Sequence, residues 1–396
     1  MKKALGLIFR KLPPMPIRTL SSLLGPGEAG FRTALSDKTC WHCPEAIETV
    51  EANALLPLLS LDRMFGSGAV PVQQLRVLVN GAEAMQSLYV DGNGLRTDAL
   101  QSFLKQGATL SIADIGAIVP QIGELAAAIE RDLGVRCGVN AYITIGDKAA
   151  FRPHYDGHDV LVLQCQGAKR WYSHGTTHPY PLVGAQVSAA PEPVWEAVIG
   201  AGDLLFLPRG EVHSTRPETA PSVHLTFGLT EPTGADFLTW LSGRAGEIEA
   251  LRRDLGTTLT PDDRSVREKT IKAAIHELVD DASIEQFLQH QVMRREPRPV
   301  VNLALVSTLN ESACLTTALR RRVDLKGDEP GDLAVTLGSK QYRLSQAARR
   351  ILALLGEQHR ARLADLALAI GLDAASAEFI SAVDILLQSG LIATTD

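Results

Sequence analysis

Apolar and polar positions alternate with a period that changes several times along this chain of 396 residues. Residues 13–30, from Pro13-Pro14 to Gly25-Pro26-Gly27, crowd turn formers together and predict an irregular entry segment. Residues 74–80 alternate as a strand, and Asp91-Gly92-Asn93-Gly94 has the composition of a tight turn. A helix is expected over 97–106, with Thr97 as N-cap, Leu100, Phe103 and Leu104 on one face, and Gly107 as its end. A second apolar-periodic helix, 119–133, closes at Gly134. The pattern then turns to short β-branched or apolar runs at 135–145, 160–164, 169–173, 204–207 and 223–229, separated by Gly, Pro and Asp turns. Short strands at such spacing predict a double-sheet barrel of the jelly-roll kind.

Beyond residue 235 the period becomes helical again. Phe237, Leu238, Leu241, Ile248, Leu251 and Leu255 form one broken stripe, and Val266, Ile271, Ile275, Leu278, Ile284, Phe287 and Leu288 form another. Apolar helices outside a barrel need a partner surface, so this block either dimerises or packs on its own barrel. The Arg- and Pro-rich residues 294–299 read as a linker. Three helical patterns follow at 344–357, 363–370 and 374–389, then Gly390 and a strand-like run 391–394, an order that resembles a winged helix. The expected architecture is α+β: a double-stranded β-helix with its N-terminal extension in 1–234, a helical dimerisation block in 235–300 and a winged-helix domain in 301–396.

Composition narrows the function classes. Apolar residues make up 45% and charged residues 21%, ordinary for a globular protein of two or three domains. The net charge of −6 offers no general attraction to nucleic acid. Residues 301–396 carry 10 Lys and Arg against 11 Asp and Glu, and 374–389, the would-be recognition helix, has no Lys or Arg, so nucleic-acid binding is not expected. Met1-Lys2-Lys3 and the apolar residues after it look like a signal peptide, but Arg10 and Lys11 break the run, and no apolar stretch is long enough to span a bilayer. A cytoplasmic protein with no membrane partner is the expectation. The five cysteines are scattered and read as reduced thiols; Cys40 and Cys43 have C-x-x-C spacing but no second pair, and read as part of a packed strand.

The chemistry concentrates between Asn140 and His213. On a strand, residues i and i+2 point the same way, so His154 and Asp156 can share one face. H-x-D alone is common by chance. The run from Gly202-Asp203 through Pro208-Arg209-Gly210 to His213 says more, because it places a strand between two turns and returns a histidine beside the first pair, as the second half of a cupin metal site does. Two imidazoles and one carboxylate hold iron(II) on one face in non-haem oxygenases, leaving the opposite positions open. The alternative for His213 is a buried histidine satisfied at a strand start. His158 and His224 are expected to line the cavity or simply to pack, and His174 and His178 to lie in a loop. Lys169 follows the Gln166-Gly167 turn. It can reach inward to pair with a carboxylate, or lie solvated beside Arg170.

At these residues the chain resembles the JmjC-type cupins of the ribosomal oxygenase family, 2-oxoglutarate-dependent protein hydroxylases. The resemblance is close over 76–229 and looser elsewhere. It rests on Gly107-Ala-Thr-Leu110, Asn140-Ala-Tyr-Ile-Thr144, Pro153-His-Tyr-Asp-Gly-His-Asp-Val160, Gly167-Ala-Lys-Arg-Trp171, the Gly202 to His213 run and Val223-His-Leu-Thr226. It implies that His154, Asp156 and His213 bind Fe(II), that Lys169 pairs with the distal carboxylate of 2-oxoglutarate, and that Asn140 hydrogen-bonds near the iron-bound end; His224 joins the cosubstrate side. It implies O2 as second cosubstrate, succinate and CO2 as products, a homodimer, and hydroxylation of a side chain (Arg, His or Asp-like) in a ribosomal protein or a ribosomally made peptide. The bacterial arginine-hydroxylating branch carries Arg at the position of Lys169, so this chain departs from that branch; its Cys-Trp-His-Cys-Pro segment departs too. The competing readings are a cupin ligand sensor answered by a winged-helix regulator, and an isomerase-like cupin holding a different metal with a further ligand.

Overall fold

The computed structural model describes residues 17–79, 81–92, 94–146, 151–177, 179–182, 191–303, 309–310 and 312–395. The N-terminal signal-like residues and His178 lie outside this set. The described residues divide into two compact units, 1–230 and 231–396.

Unit one opens with helices α1 (Leu20–Leu24) and α2 (Glu28–Asp37), strand β1 (Trp41–Cys43), and helices α3 (Thr49–Leu55) and α4 (Leu58–Gly66). The turn-rich entry is therefore helical where it is described. The Gly25-Pro26-Gly27 cluster makes a short 3-10 turn between α1 and α2. Thr19 caps α1 by accepting from the Ser22 N–H, a local signal that the Gly and Pro count obscures. Strands β2 (Leu75–Val79), β3 (Ala82–Glu83) and the small β4/β5 pair (Val90–Asp91, Gly94–Leu95) lead to α5 (Thr97–Lys105). Arg96, not Thr97, occupies the N-cap of α5, without a side-chain cap bond. After β6 (Thr109–Ile112), helix α6 (Pro120–Leu133) starts on a proline whose missing N–H costs nothing at that position, and stops at Gly134 with φ 70°.

The barrel itself comprises β7 (Arg136–Thr144), β8 (Asp159–Gln166), β9 (Ala168–Thr176), β10 (Trp195–Gly200), β11 (Leu204–Leu207), β12 (Glu211–Pro217) and β13 (Ser222–Thr230). One sheet has the order β1-β11-β8-β13-β7-β6-β2-β3, the other β10-β9-β12. Period-two alternation explains how the two sheets share residues. On β7 and β13, Cys137, Val139, Ala141, Ile143, Val223, Leu225, Phe227 and Leu229 pack in the core that includes α1, α2 and α6. The intervening residues of the same strands face the second sheet. Val160, Val162, Leu205 and Leu207 alternate likewise, and pack with Trp171 and Ile199 between the sheets.

Register then sets the neighbours of each inward group. His224 stands opposite Tyr142 and Gln164, and Thr226 opposite Asn140 and Val162. On the smaller sheet, Lys169 stands opposite Ile199 and Pro217, and Ser173 opposite Trp195 and His213. Gly167 carries the chain from β8 in the large sheet to β9 in the small one. Its φ of +64° and the 2.3 Å from a built Cβ to the Pro221 carbonyl oxygen leave room for no side chain, so this turn is what delivers Lys169 inward.

Two sequence expectations differ here. His174 lies within β9, not in a loop, because the strand runs past Ser173 to Thr176. His154 and Asp156 precede β8 and lie on no strand; His154 only bridges to His213. β10 was not legible as a strand. Trp195-Glu-Ala-Val-Ile-Gly200 alternates weakly, and Glu196 and Ala197 carry little β propensity.

Unit two holds α7 (Gly234–Arg244), α8 (Glu249–Arg252), α9 (Pro261–Asp280) and α10 (Ile284–Arg294), in which Phe237, Trp240 and Phe287 form an aromatic cluster. Strands β14 (Cys314–Thr317), β15 (Leu333–Leu337) and β16 (Lys340–Leu344) come next. They precede α11 (Gln346–Gln358), β17 (Arg360–Arg362), α12 (Leu363–Ile370), α13 (Ala377–Gln388) and β18 (Ile392–Thr395). β14 pairs with both β17 and β18, and β15 with β16. Among the described residues no helix is long and apolar enough to cross a membrane.

Candidate active site

His154, Asp156 and His213 each offer one ligand atom, and the three atoms lie within 4.8 Å of one another. This is the group of three or more potential metal ligands found among the described residues. Two segments bring it together. β12 carries His213 on the inner face of the small sheet, and the segment before β8 is drawn to it by a backbone pair, His154 N–H to His213 O at 3.0 Å and His213 N–H to His154 O at 2.7 Å. That bridge does what strand periodicity was expected to do.

Both imidazoles are oriented by backbone. The Nδ1–H of His154 donates to the Arg152 carbonyl at 2.9 Å, and that of His213 to the Glu211 carbonyl at 3.0 Å. A carbonyl only accepts, so each Nδ1 keeps its proton and each Nε2 presents a lone pair. Nε2 of His213 lies 3.7 Å from Asp156 Oδ2. Burial, and then the neighbouring His154, push the His213 imidazole down to about 4, so it stays neutral and ready to ligate at ordinary pH.

The pocket beside these groups is lined by residues of both sheets, among them Tyr142, Val162, Lys169, Trp171, Thr215 and His224. Lys169 is 2% exposed. Among the described residues its polar partner is His224, whose Nδ1 accepts from Nζ at 3.2 Å. Burial pushes the Lys169 ammonium down to about 7, and burial followed by the charge of Lys169 holds His224 well below its usual range. An ammonium buried with no carboxylate beside it is costly, which favours the inward, anion-seeking reading of this lysine over the solvated one. His224 is itself wedged between rings, stacked on Tyr142 at 4.9 Å and edge-on to Trp171 at 5.6 Å.

Other expected residues fall differently. Asn140 is not among the lining residues; its Oδ1 accepts from the Asp114 N–H at 3.1 Å, and its side chain also hydrogen-bonds the Tyr142 hydroxyl together with Ser111. His158 lies over Gly228, its ring atoms 3.0–3.5 Å from a built Cβ there, and does not line the pocket. Cys40 and Cys43 are free thiols at the β1 edge of the large sheet. Thr215, Tyr142 and Phe151 line the pocket and were not singled out in the sequence. Tyr142 stands two places from Asn140 on the same strand face, so period-two reading would have found it. Phe151, packed 5.1 Å from His154 and 6.0 Å from Tyr142, sits outside regular structure and had no such signal. A larger cavity, about 320 Å³, opens in unit two near Arg321, Arg350 and Glu357, and no residue of that ligand group lines it.

The geometry has counterparts. Residues 118–237 match the JmjC domain family. This chain carries a JmjC domain. Relatives of the JmjC region include the bifunctional lysine-specific demethylase and histidyl-hydroxylase NO66 of Drosophila mojavensis, 28% identical over 33% of this chain and 16% of that protein. Ribosomal oxygenase 1 of Gallus gallus is 32% identical over 39% of this chain and 27% of its own length. The chain thus spans well under half the length of these curated relatives. Among solved structures, Escherichia coli YcfD, described as a ribosomal oxygenase, superposes with a TM-score of 0.56 over 92% of this chain and 98% of its own, at 13% identity, which is a likeness of fold. One YcfD structure is of its complex with cobalt and 2-oxoglutarate. The JmjC cupin and the ribosomal-oxygenase resemblance read from the sequence stand.

Proposed function

We propose that the chain is an Fe(II)- and 2-oxoglutarate-dependent oxygenase that hydroxylates an amino-acid side chain of a protein or peptide. The observation that carries this reading is the pairing, in one pocket, of a two-histidine, one-carboxylate donor set with a buried lysine that pairs with no carboxylate among the described residues. The donor set fits iron(II), and Lys169 fits the far carboxylate of a dicarboxylate whose near end chelates the metal. The likeness to YcfD, which takes cobalt and 2-oxoglutarate, supports the same pairing.

Bound there, the iron and its cosubstrates supply oxidative decarboxylation of 2-oxoglutarate to succinate and CO2, coupled to insertion of oxygen into a C–H bond. This chain's residues bind, orient and shield. His154, Asp156 and His213 hold the metal from one side. Lys169, steadied by His224, receives the distal carboxylate. Tyr142 offers its hydroxyl from the pocket wall, and Asn140 and Ser111 fix where that hydroxyl points. Val160, Val162 and Trp171 keep water from the inner end.

The wider assignment includes the three-part division at 234 and 300. Helices α7–α10 leave Leu238, Val266, Ile275 and Ile284 exposed, which supports a homodimer formed through this block. The order α11, β17, α12, α13, β18 supports a winged helix, and the absence of basic residues from α13 argues against DNA as its partner. The location in keeping with this chemistry is the cytoplasm.

The test is anaerobic loading with Fe(II) followed by air and labelled 2-oxoglutarate, with and without a pool of ribosomal proteins and cell peptides. The expected result is succinate formation stimulated by the pool, with a matching product one oxygen heavier. Metal-loaded, folded protein that makes no more succinate than a His213→Ala control would sink the enzyme reading and favour a ligand sensor.

The state of Lys169 makes the affinity depend on pH. With its ammonium pushed down to about 7, the ligand-free lysine is charged below that pH and neutral above it. Binding a dianion restores the charge, so above about pH 7 the site must take up a proton, and the 2-oxoglutarate affinity should fall up to about tenfold per pH unit while staying flat below. Calorimetry with Mn(II) in place of iron, between pH 6 and about 9 and in buffers of different ionisation enthalpy, reads both the slope and the proton; an affinity independent of pH would contradict it.

A further inference from the structure

The three candidate ligands are all referred to one short stretch of chain. His213 points where the Glu211 carbonyl directs its ring, at 3.0 Å. The segment carrying His154 and Asp156 belongs to neither sheet. It meets β12 through the two-way His154–His213 backbone bridge and through Gly210, whose N–H donates to the Asp156 carbonyl at 3.1 Å. Wherever residues 210–213 sit, the donor set sits.

That stretch pairs irregularly with β9, where His174 and Gly175 stand against Val212 alone. Pairing of β12 with β9 slips between Glu211, opposite Thr176, and His213, opposite Ser173. A bulge of this kind releases a residue from the ladder and re-aims its neighbours, and it needs something to hold it. Here the holder is a side chain. The Glu211 carboxylate, 7% exposed, accepts from Ser173 Oγ and, at 2.7 Å, from Thr176 Oγ1. A valine would pack at such a site without the cost of desolvating a charge, whereas a side chain ending in two hydrogen-bonding atoms spans both hydroxyls. On the far side of His213, Ser214 Oγ donates to Nε2 of His174 at 3.0 Å, and Nδ1–H of His174 donates to the Pro191 carbonyl at 2.6 Å. β9 therefore grips β12 on both flanks of the histidine.

We infer that Glu211 is a positioning residue for the metal centre: bonded to Ser173 and Thr176 on either side of the β9 bulge, it fixes the β12 backbone, whose Glu211 carbonyl orients His213 and, through the backbone bridge, places His154. The inference rests on the metal-centre reading proposed above. Glu211 touches neither metal nor substrate, and acts through the residues it anchors.

The experiment is titration of the metal-free protein with Co(II), following the visible d–d absorption, which reports ligand geometry as well as occupancy. Glu211→Ala should weaken Co(II) binding by about 10–100-fold, the usual consequence of losing an outer-sphere partner, and should alter the band shape of what still binds. The Ser173→Ala/Thr176→Val double variant, which leaves Glu211 in place, should do the same. Glu211→Gln can accept from Ser173 and donate to Thr176, and should stay near wild type in both affinity and spectrum. Thermal melts of the metal-free variants separate this effect from lost folding, and if Glu211→Ala fails to fold, the double variant decides. Wild-type affinity and spectrum in the double variant would overturn the clamp, as would a Glu211→Gln variant as impaired as the alanine. A wild-type protein that binds no Co(II) would remove the metal reading and the clamp with it; a wild type that binds, with unaffected variants, would remove the clamp alone.

Discussion

Asp156→Ala and His154→Ala are each expected to abolish 2-oxoglutarate turnover. The loss should exceed about a hundredfold, the upper end of what removing an outer-sphere partner costs, because a first-hand ligand is lost. Two donors cannot hold a divalent ion in a site that must keep positions open, and Asp156 contributes the set's only negative charge. These two are better probes than His213. Asp156 leaves about a third of its side chain exposed, while the His213 side chain is 6% exposed and stacks on Trp171 at 5.9 Å. Cutting His213 back opens a hole between the sheets and mixes a packing loss with a metal loss; cutting Asp156 back does not. The measurement is turnover and Co(II) binding beside a thermal melt of the metal-free protein. An unchanged melt with no bound metal is the expected pair of results, and near-normal turnover in either variant would withdraw the triad.

The barrel was legible because its strands are two-faced. Where one face packs on helices and the other lines a pocket, as on β7 and β13, polar residues interrupt an apolar run at every second place, and the spacing alone puts Asn140, His224 and Thr226 on one side. The grouping of His154, Asp156 and His213 was legible for a different reason, the turn signals at Gly202-Asp203 and Pro208-Arg209-Gly210 that bracket β11 and deliver His213. What failed to show was whatever depends on contact across the chain. His154 and Asp156 come together with His213 off the sheet, through a backbone bridge to a residue far along the sequence, and not on a shared strand face as the periodicity suggested. The Glu211 clamp and the role of Asn140 in fixing Tyr142 are of the same kind. In unit two, Arg349 is fully buried and donates to the carbonyls of Lys326, Glu329, Gly331 and Leu344; nothing in its helical stripe set it apart from a solvated arginine.

Lys169→Met should give two effects of opposite sign, and their conjunction is what identifies the residue's role. Removing the ammonium takes away the partner of a buried carboxylate, a loss of about 2–5 kcal/mol for charge pairs of this type, so 2-oxoglutarate binding should weaken by at least about thirtyfold while Co(II) binding is kept. The ligand-free fold should gain stability, because Lys169 is desolvated with the neutral His224 as its partner among the described residues, and an apolar chain of similar length fills the same volume; about 1–4 kcal/mol is the usual range for replacing buried charge by packing. The sign with pH follows from the depressed ammonium. An unfolded lysine titrates near 10.5 and this one at about 7, so the folded state is penalised increasingly as pH falls from the first value to the second, and fully below it. The advantage of Lys169→Met over wild type should therefore be largest at or below pH 7 and shrink as pH rises toward 10.5. Melts of both proteins at several pH values, with and without 2-oxoglutarate and Mn(II), read all of this. A variant that is less stable than wild type, or one that binds 2-oxoglutarate as well, would return Lys169 to a structural role. Stability given up by the empty pocket and recovered on binding the dicarboxylate is the behaviour of a site formed ahead of its ligand, in which the energy of a buried charge is held in reserve for recognition.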